Sequence, residues 1–313
     1  MKKFTFFSIV IIAVMLSSFT SCHKDGEFNP KKKIYRIYSE STGVGKELDA
    51  TWTWNDNLLS RIDYKKEKFD KFEYDKKRIS KIERNDGNSI GSSTTTFSYD
   101  GSKFDKIEKV HKDVVSLGAF SAIRTEHTVY QFAYKGSKVE KITVTVTTTD
   151  TMMLTLKSGV SEKVEESDFN PLQFIFSEQT CKSIAKLQSE EKSNSKGGNS
   201  YTYTISYTWD GNNIEKEVLE YKDISFTETR VYTYDNKKNP FYGLFMEAES
   251  SDISKADVSH ISKNNAIKVV TSNSKGENTE VNYTYQYDGN FPVESKATNT
   301  KNSYYTTRFY EYK

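Results

Sequence analysis

The sequence predicts an all-β protein: antiparallel hairpins that follow one another as a meander and form a large, twisted, curled sheet. Three observations predict it. First, 21 Tyr and 19 Phe stand against only 4 Pro, and Thr, Ser, Lys and aromatics dominate over long aliphatic runs. That composition suits a sheet with one aromatic and one polar face. Second, Tyr201, Tyr203, Ile205, Tyr207 and Trp209 alternate with Thr202, Thr204, Ser206 and Thr208, and residues at i and i+2 of a strand share a face. Third, a short unit recurs along the chain.

The unit is aromatic-x-aromatic, then Asp, Asn and small turn residues, then an apolar residue five after the second aromatic and another about eight after. Copies begin at Trp52-Thr53-Trp54, Phe72-Glu73-Tyr74-Asp75, Phe97-Ser98-Tyr99-Asp100-Gly101 and Phe132-Ala133-Tyr134. Further copies are Phe174-Ile175-Phe176, Tyr207-Thr208-Trp209-Asp210-Gly211, Tyr232-Thr233-Tyr234-Asp235 and Tyr285-Gln286-Tyr287-Asp288-Gly289. Asp-Gly and Asn-Asp pairs turn the chain because they tolerate positive φ. The next strand returns its apolar residues to the same face. Each buried aromatic removes ~150–250 Å² from water, an upper bound of roughly 4–6 kcal/mol. The second aromatics (Trp54, Tyr74, Tyr99, Tyr134, Trp209, Tyr234 and Tyr287) are expected to point to one buried face.

Ahead of this domain, residues 1–21 read as a signal peptide. Met1-Lys2-Lys3 is charged, Phe4 to Leu16 is apolar, and Ser17 to Ser21 is a small, mostly polar stretch. As a helix the apolar run spans roughly 20 Å, short of the ~30 Å hydrocarbon core of a bilayer. A cysteine directly after it, Cys22, resembles the lipidated first residue of a mature bacterial lipoprotein. Phe19 stands where such signals carry an aliphatic residue. Residues 22–33 are polar and charged and read as a lipidated tether, leaving 34–313 as a single β-rich domain. Ser189 to Ser200 reads as a long hairpin tip. Residues 240–262 break the alternation, and Pro240 opens a minor helical insertion there.

The repeats resemble YD (RHS-type) repeats. The stretch Tyr232-Thr-Tyr-Asp-Asn-Lys-Lys-Asn-Pro-Phe-Tyr-Gly-Leu244, with Ile261-Ser-Lys-Asn-Asn265 and Tyr285-Gln-Tyr-Asp-Gly-Asn-Phe-Pro292, is similar to the DUF4595 family of Bacteroidetes lipoproteins. The resemblance covers nearly the whole chain after the signal. It implies a lipid-anchored, β-rich, YD-like protein and carries no catalytic residues; His23 after Cys22, where an Asp would resemble an inner-membrane retention signal, points to the outer membrane.

Composition excludes several functions. Without residues 1–21 the basic residues fall to the number of acidic ones, 43. A neutral chain whose longest basic run is Lys31-Lys32-Lys33 lacks the charge that nucleic-acid affinity needs. With Cys22 lipidated, Cys181 stands alone, so no intrachain disulfide is expected and the fold rests on its core. Cys181 takes an apolar place in a diverged repeat.

Candidate chemistry is thin. Gly87-Asn88-Ser89-Ile90-Gly91 matches a nucleophile elbow in letters, but it sits in a polar hairpin tip without the strand-then-helix context. His23, His111, His127 and His260 show no zinc spacing. The turn aspartates Asp75, Asp100, Asp210, Asp235 and Asp288 are spread along the sheet, whereas calcium needs oxygens converging on one point. No metal, cofactor or catalytic residue is expected, and no motif isolates a carboxylate pair. Binding candidates are Phe241, Tyr242 and Phe245, with Met246, beside Glu247 and Glu249. Their alternative role is to plug one end of the curled sheet. The expected function is a non-enzymatic lipoprotein anchored through Cys22 that binds a glycan or an envelope protein. The alternatives are an assembly module that pairs through an open sheet edge, and a hydrolase.

Overall fold

The computed structural model describes residues 24–87, 91–117, 120–153, 199–244, 260–301 and 303–313. The expectations at Cys22, His23, Cys181, Phe245, Met246, Phe174 to Phe176 and most of 189–200 lie outside these residues. The described residues form sixteen strands in chain order: β1 (Ile34–Ser41), β2 (Val44–Asn55), β3 (Leu58–Tyr64), β4 (Phe69–Asp75), β5 (Arg78–Asn85), β6 (Ser92–Asp100), β7 (Lys103–Leu117) and β8 (Phe120–Lys135). They continue as β9 (Lys138–Met153), β10 (Asn199–Asp210), β11 (Asn213–Tyr221), β12 (Phe226–Lys238), β13 (Asn264–Asn273), β14 (Asn278–Asp288), β15 (Phe291–Asn299) and β16 (Tyr305–Tyr312).

The all-β expectation holds, but the sheet is not open. Each strand pairs antiparallel with its sequence neighbours, and β16 returns to β1, so the meander is a closed barrel. At the seam Ile37 opposes Tyr310 and Tyr38 opposes Phe309. Closure leaves no free edge among the described strands, which removes the basis for assembly through an open edge. No short segment announces closure in sequence, because the seam pairs the first and last strands of the domain.

The repeat spacing has a structural cause. In every regular copy the second aromatic faces the residue five positions later: Trp54 opposes Leu59, Tyr74 Ile79, Tyr99 Phe104, Tyr134 Val139, Trp209 Ile214 and Tyr287 Pro292. A register shift falls just before the second aromatic in each of these hairpins. The bulge inserts one residue, so the next inward residue comes at eight rather than seven. The residue two after the aromatic has positive φ each time: Asp56 at 52°, Lys76 at 59°, Gly101 at 56°, Gly136 at 63°, Gly211 at 54° and Gly289 at 62°. These turns all lie at one end of the barrel, called here the turn end.

The inner wall is apolar and shielded from solvent. Ile62, Ile79, Val144, Val146, Ile205 and Ile214 are fully buried, with Trp52, Tyr130, Tyr203 and Tyr221 nearly so. The outer wall is polar. Lys71 pairs with Glu73 at 3.5 Å and with Glu83 at 3.7 Å, Lys106 with Glu108 at 3.0 Å, and Lys268 with Glu280 at 2.7 Å. Thr145 and Thr202 hydroxyls meet across strands at 3.3 Å. Several of these pairs lie at mid-strand. A membrane-spanning barrel shows the reverse pattern, and a Lys on its lipid face at the bilayer midplane costs about 2–4 kcal/mol.

Two segments close the turn end. The first is 24–33, expected as a tether but fixed in place from Asp25 to Lys33. Phe28 is 2% exposed and stacks on Trp54 at 5.8 Å. The second is 239–244 with 260–263. Asn239 N donates to Lys263 O at 3.1 Å and Gly243 N to His260 O at 2.8 Å. Residues 240–243 form a turn, not a helix, and 245–259 lie outside the described residues.

Candidate functional site

The turn end is built from the repeat itself. In most copies the second aromatic donates to a backbone carbonyl of the preceding strand pair, whereas Tyr134 and Tyr287 donate to the carboxylates of Asp25 and Asp235. Trp54 Nε1 donates to Ile34 O at 2.7 Å, Tyr74 Oη to Leu59 O at 2.8 Å, Trp209 Nε1 to Val139 O at 2.7 Å, Tyr234 Oη to Ile214 O at 2.7 Å and Tyr312 Oη to Pro292 O at 2.7 Å. These aromatics are therefore half-buried rim residues with their polar atoms satisfied. Their facing is inward, as expected. The deeper burial belongs to first aromatics: Trp52, Phe72, Phe97, Tyr207 and Tyr232 are all under 9% exposed. Burial pushes the phenols of Tyr74, Tyr99, Tyr134, Tyr234 and Tyr312 above their ordinary range.

A cation caps several of the second aromatics. Lys33 lies 5.6 Å from the Trp54 ring centre, Arg78 3.5 Å from Tyr99, Lys103 4.9 Å from Tyr134 and Lys138 5.4 Å from Trp209. The same cations donate to the carbonyl two residues beyond that aromatic: Arg78 to Gly101 O at 2.6 Å, Lys103 to Gly136 O at 2.6 Å, Lys138 to Gly211 O and Lys33 to Asp56 O. In three of the four cases the cation stands four places after the second aromatic of its own hairpin and staples that hairpin to the next, while Lys33 staples the N-terminal segment to the β2–β3 turn.

Between the N-terminal segment and the β2–β3 turn lies a groove of about 720 Å³. It is lined by residues 29–31, Lys33, Tyr35, residues 52–54, Asp56, Asn57 and Lys313. Lys33 donates to Asn57 Oδ1 at 2.9 Å, and Lys313 sits 4.0 Å from the Tyr35 ring centre. Among the described residues Lys31 and Lys313 have no acidic partner. An aromatic wall with lysine ammoniums at its mouth suits a phosphate- or carboxylate-bearing group.

The interior holds two ionic groups. Arg84 grips Asp70 with two bonds of 2.6 Å, and Tyr64 Oη donates to Asp70 Oδ2 at 2.8 Å. Arg230 donates to Glu217 at 2.8 Å and Glu228 at 2.5 Å, with all three side chains nearly inaccessible. Lys109 and His111 are buried on the same wall. Desolvation, with the charges of Lys109 and Arg84 adding to it, holds the His111 imidazole down to about 4, against a bond with the Ser92 backbone.

The sequence-derived candidates fall out as follows. Phe241 is 7% exposed and packs on Trp52 at 6.3 Å and Tyr310 at 6.0 Å between ring centres. Tyr242 is half-buried beside it, while Phe245 and Cys22 lie outside the described residues. His127 faces outward 3.7 Å from Glu108, whereas His111 is internal. Asp235 accepts from Lys237 N at 2.9 Å and Asn265 N at 3.1 Å, a turn-capping role. Gly87 and Gly91 lie between two antiparallel strands, β5 and β6, with no helix following. No group of metal-binding side chains is found among the described residues.

The two interior ionic groups and the ring of cations were missed by sequence reasoning. Period-two alternation does hold a signal, since Asp70 lies on the same face as Phe72. The capping cation is visible as the basic residue at Arg78, Lys103 and Lys138, but its target lies on another hairpin.

Among solved structures, the fold is similar to a porin-like protein from Bacteroides vulgatus, with 11% identity, a TM-score of 0.50, and 90% of this chain and 99% of that one covered. A porin-like protein from Bacteroides uniformis is also matched, at 10% identity and a TM-score of 0.34, over 93% of this chain and 100% of that one. No family model and no curated protein matches the chain. The class is thus that of a porin-like β-barrel in fold.

Proposed function

We propose that this chain is a non-enzymatic envelope protein: a barrel that stands in water, held to the outer membrane by lipid on Cys22, and binds a glycan or protein partner. The observation that carries the reading is the outer wall, with ion pairs such as Lys71–Glu83 at mid-strand where a spanning barrel meets lipid. The shielded inner wall argues against conduction, since a water-filled lumen would leave Ile62 and Val144 accessible. The buried carboxylates Asp70, Glu217 and Glu228 are each bonded to an arginine, an arrangement that serves packing more directly than acid–base chemistry. The signal-like segment before Cys22 and the resemblance to YD-repeat lipoproteins support anchoring. Two acyl chains, at about 0.8 kcal/mol per buried CH₂, hold a protein stably to a bilayer. The full-length chain is expected in the membrane fraction and Cys22→Ser in the soluble fraction. If Cys22→Ser remains with membranes and alkaline carbonate does not release it, the barrel itself inserts and the reading is overturned.

A further inference from the structure

We propose that the turn end is the membrane-facing surface of the anchored barrel, and that the groove beside Trp54 receives the phosphate headgroups of the bilayer. The proposal rests on the anchoring reading and adds an orientation and a lipid contact.

The first argument is reach. Asp25 is held at the turn end by four contacts: its N–H donates to Ser102 O at 2.9 Å, its carbonyl accepts from Arg78 Nε at 3.0 Å, and its Oδ2 accepts from Tyr134 Oη at 2.6 Å and Phe104 N at 3.1 Å. Cys22 precedes Asp25 by three residues, and three residues span at most about 11 Å. The nine residues of β6 alone extend for roughly 30 Å. A lipid on Cys22 therefore lies at the turn end and does not reach the opposite one.

The second argument is chemistry. The turn end pairs aromatic rings with lysines, as at Lys32 over Phe291 and Tyr312, each 5.8 Å away, and Lys237 over Tyr287 at 5.7 Å. Amphipathic rings and lysines are the side chains that settle at a membrane–water interface. The turn aspartates share this end, so bulk charge does not drive the contact. The groove does, because Lys31 and Lys313 stand at its mouth without acidic partners among the described residues.

Tryptophan emission tests the orientation, since the chain has 3 Trp and all lie toward the turn end: Trp52, Trp54 and Trp209. The protein purified from the cell envelope is reconstituted in phosphatidylcholine vesicles containing brominated lipid, which quenches nearby indoles. Flotation is measured on the same samples. Flotation with quenching is expected, and the Lys31→Glu, Lys313→Glu double variant should float equally but be quenched less. A second reporter, Lys275→Trp in a Trp52→Phe, Trp54→Phe, Trp209→Phe background, places the sole indole at the opposite end and should escape quenching. Failure of the wild-type chain to float sinks the anchoring reading and this proposal with it. Flotation without wild-type quenching, or with Lys275→Trp quenched instead, leaves anchoring intact and overturns the orientation. Equal quenching of the double variant overturns the headgroup site.

Discussion

The Tyr74 hydroxyl donates to the carbonyl of Leu59 at 2.8 Å, and that bond ties hairpin β4–β5 to hairpin β2–β3. The same link recurs between Tyr234 and Ile214 and, through an indole, between Trp209 and Val139. It gives the Tyr or Trp at the second position of these copies a polar partner that Phe would lack, and in Tyr134 and Tyr287 the hydroxyl meets a carboxylate instead. The ring fills the barrel rim, and the polar atom completes a backbone carbonyl at the bulge.

Tyr74→Phe therefore isolates the bond from the packing. It is expected to cost about 1 kcal/mol, against about 3–5 kcal/mol for Tyr74→Ala. Urea unfolding of both variants checks the split. Equal losses would mean that the hydroxyl carries the whole effect. Near-zero losses for both would mean that the rim is dispensable.

Much of this was legible in the sequence, and the limit has a physical reason. Strand spacing, hairpin order and the inward face of Phe72, Phe97 and Trp209 all follow from local periodicity. Closure does not, because Ile37 and Tyr310 meet across nearly the whole domain. Phe28 looked like part of a tether because its neighbours are charged, yet Phe28 itself fills the space beside Trp52 and Trp54. The groove depends on both of these long-range facts, joining residues 29–33 to Lys313, and no motif encodes it.

Backbone strain at the turns gives an opposed pair of predictions. Gly101 has φ of 56°, and a Cβ added there meets no atom within 4 Å, so Gly101→Ala should cost about 1 kcal/mol from conformation alone. Lys76 occupies the equivalent place at 59° with a side chain. Lys76→Gly should thus be neutral to stabilising by up to about 1 kcal/mol, despite the extra chain entropy. In thermal melts Gly101→Ala should lower the midpoint, and Lys76→Gly should not.

His111 gives a pH dependence with a fixed sign. Its folded pKa, about 4, lies below the ordinary value of 6.5, so the unfolded chain binds the proton more readily. The neutral imidazole's contribution is complete above pH 6.5 and is lost as pH falls from there toward 4, a span of at most about 3 kcal/mol. His111→Asn removes the titration. Its stability, measured by urea unfolding, should vary less than wild type between pH 7 and pH 4, and parallel curves would refute the assignment.

The last prediction separates the worth of a buried ion pair from the cost of breaking it. Arg84 and Asp70 are 8% and 1% exposed and joined by two bonds of 2.6 Å. Removing the guanidinium alone, as in Arg84→Met, leaves a buried carboxylate held by Tyr64 and lacking its main counter-charge. The expected cost is about 3–5 kcal/mol. Asp70→Leu strands the cation and should cost a similar amount. The double variant Arg84→Met, Asp70→Leu buries no charge at this place, and apolar replacements of buried pairs are often close to neutral. It should therefore be more stable than either single variant, with a coupling of roughly 2–3 kcal/mol in the double-mutant cycle. Additive losses would mean that the two side chains act separately, Arg84 through its packing under Tyr64 and Asp70 through the Tyr64 hydroxyl.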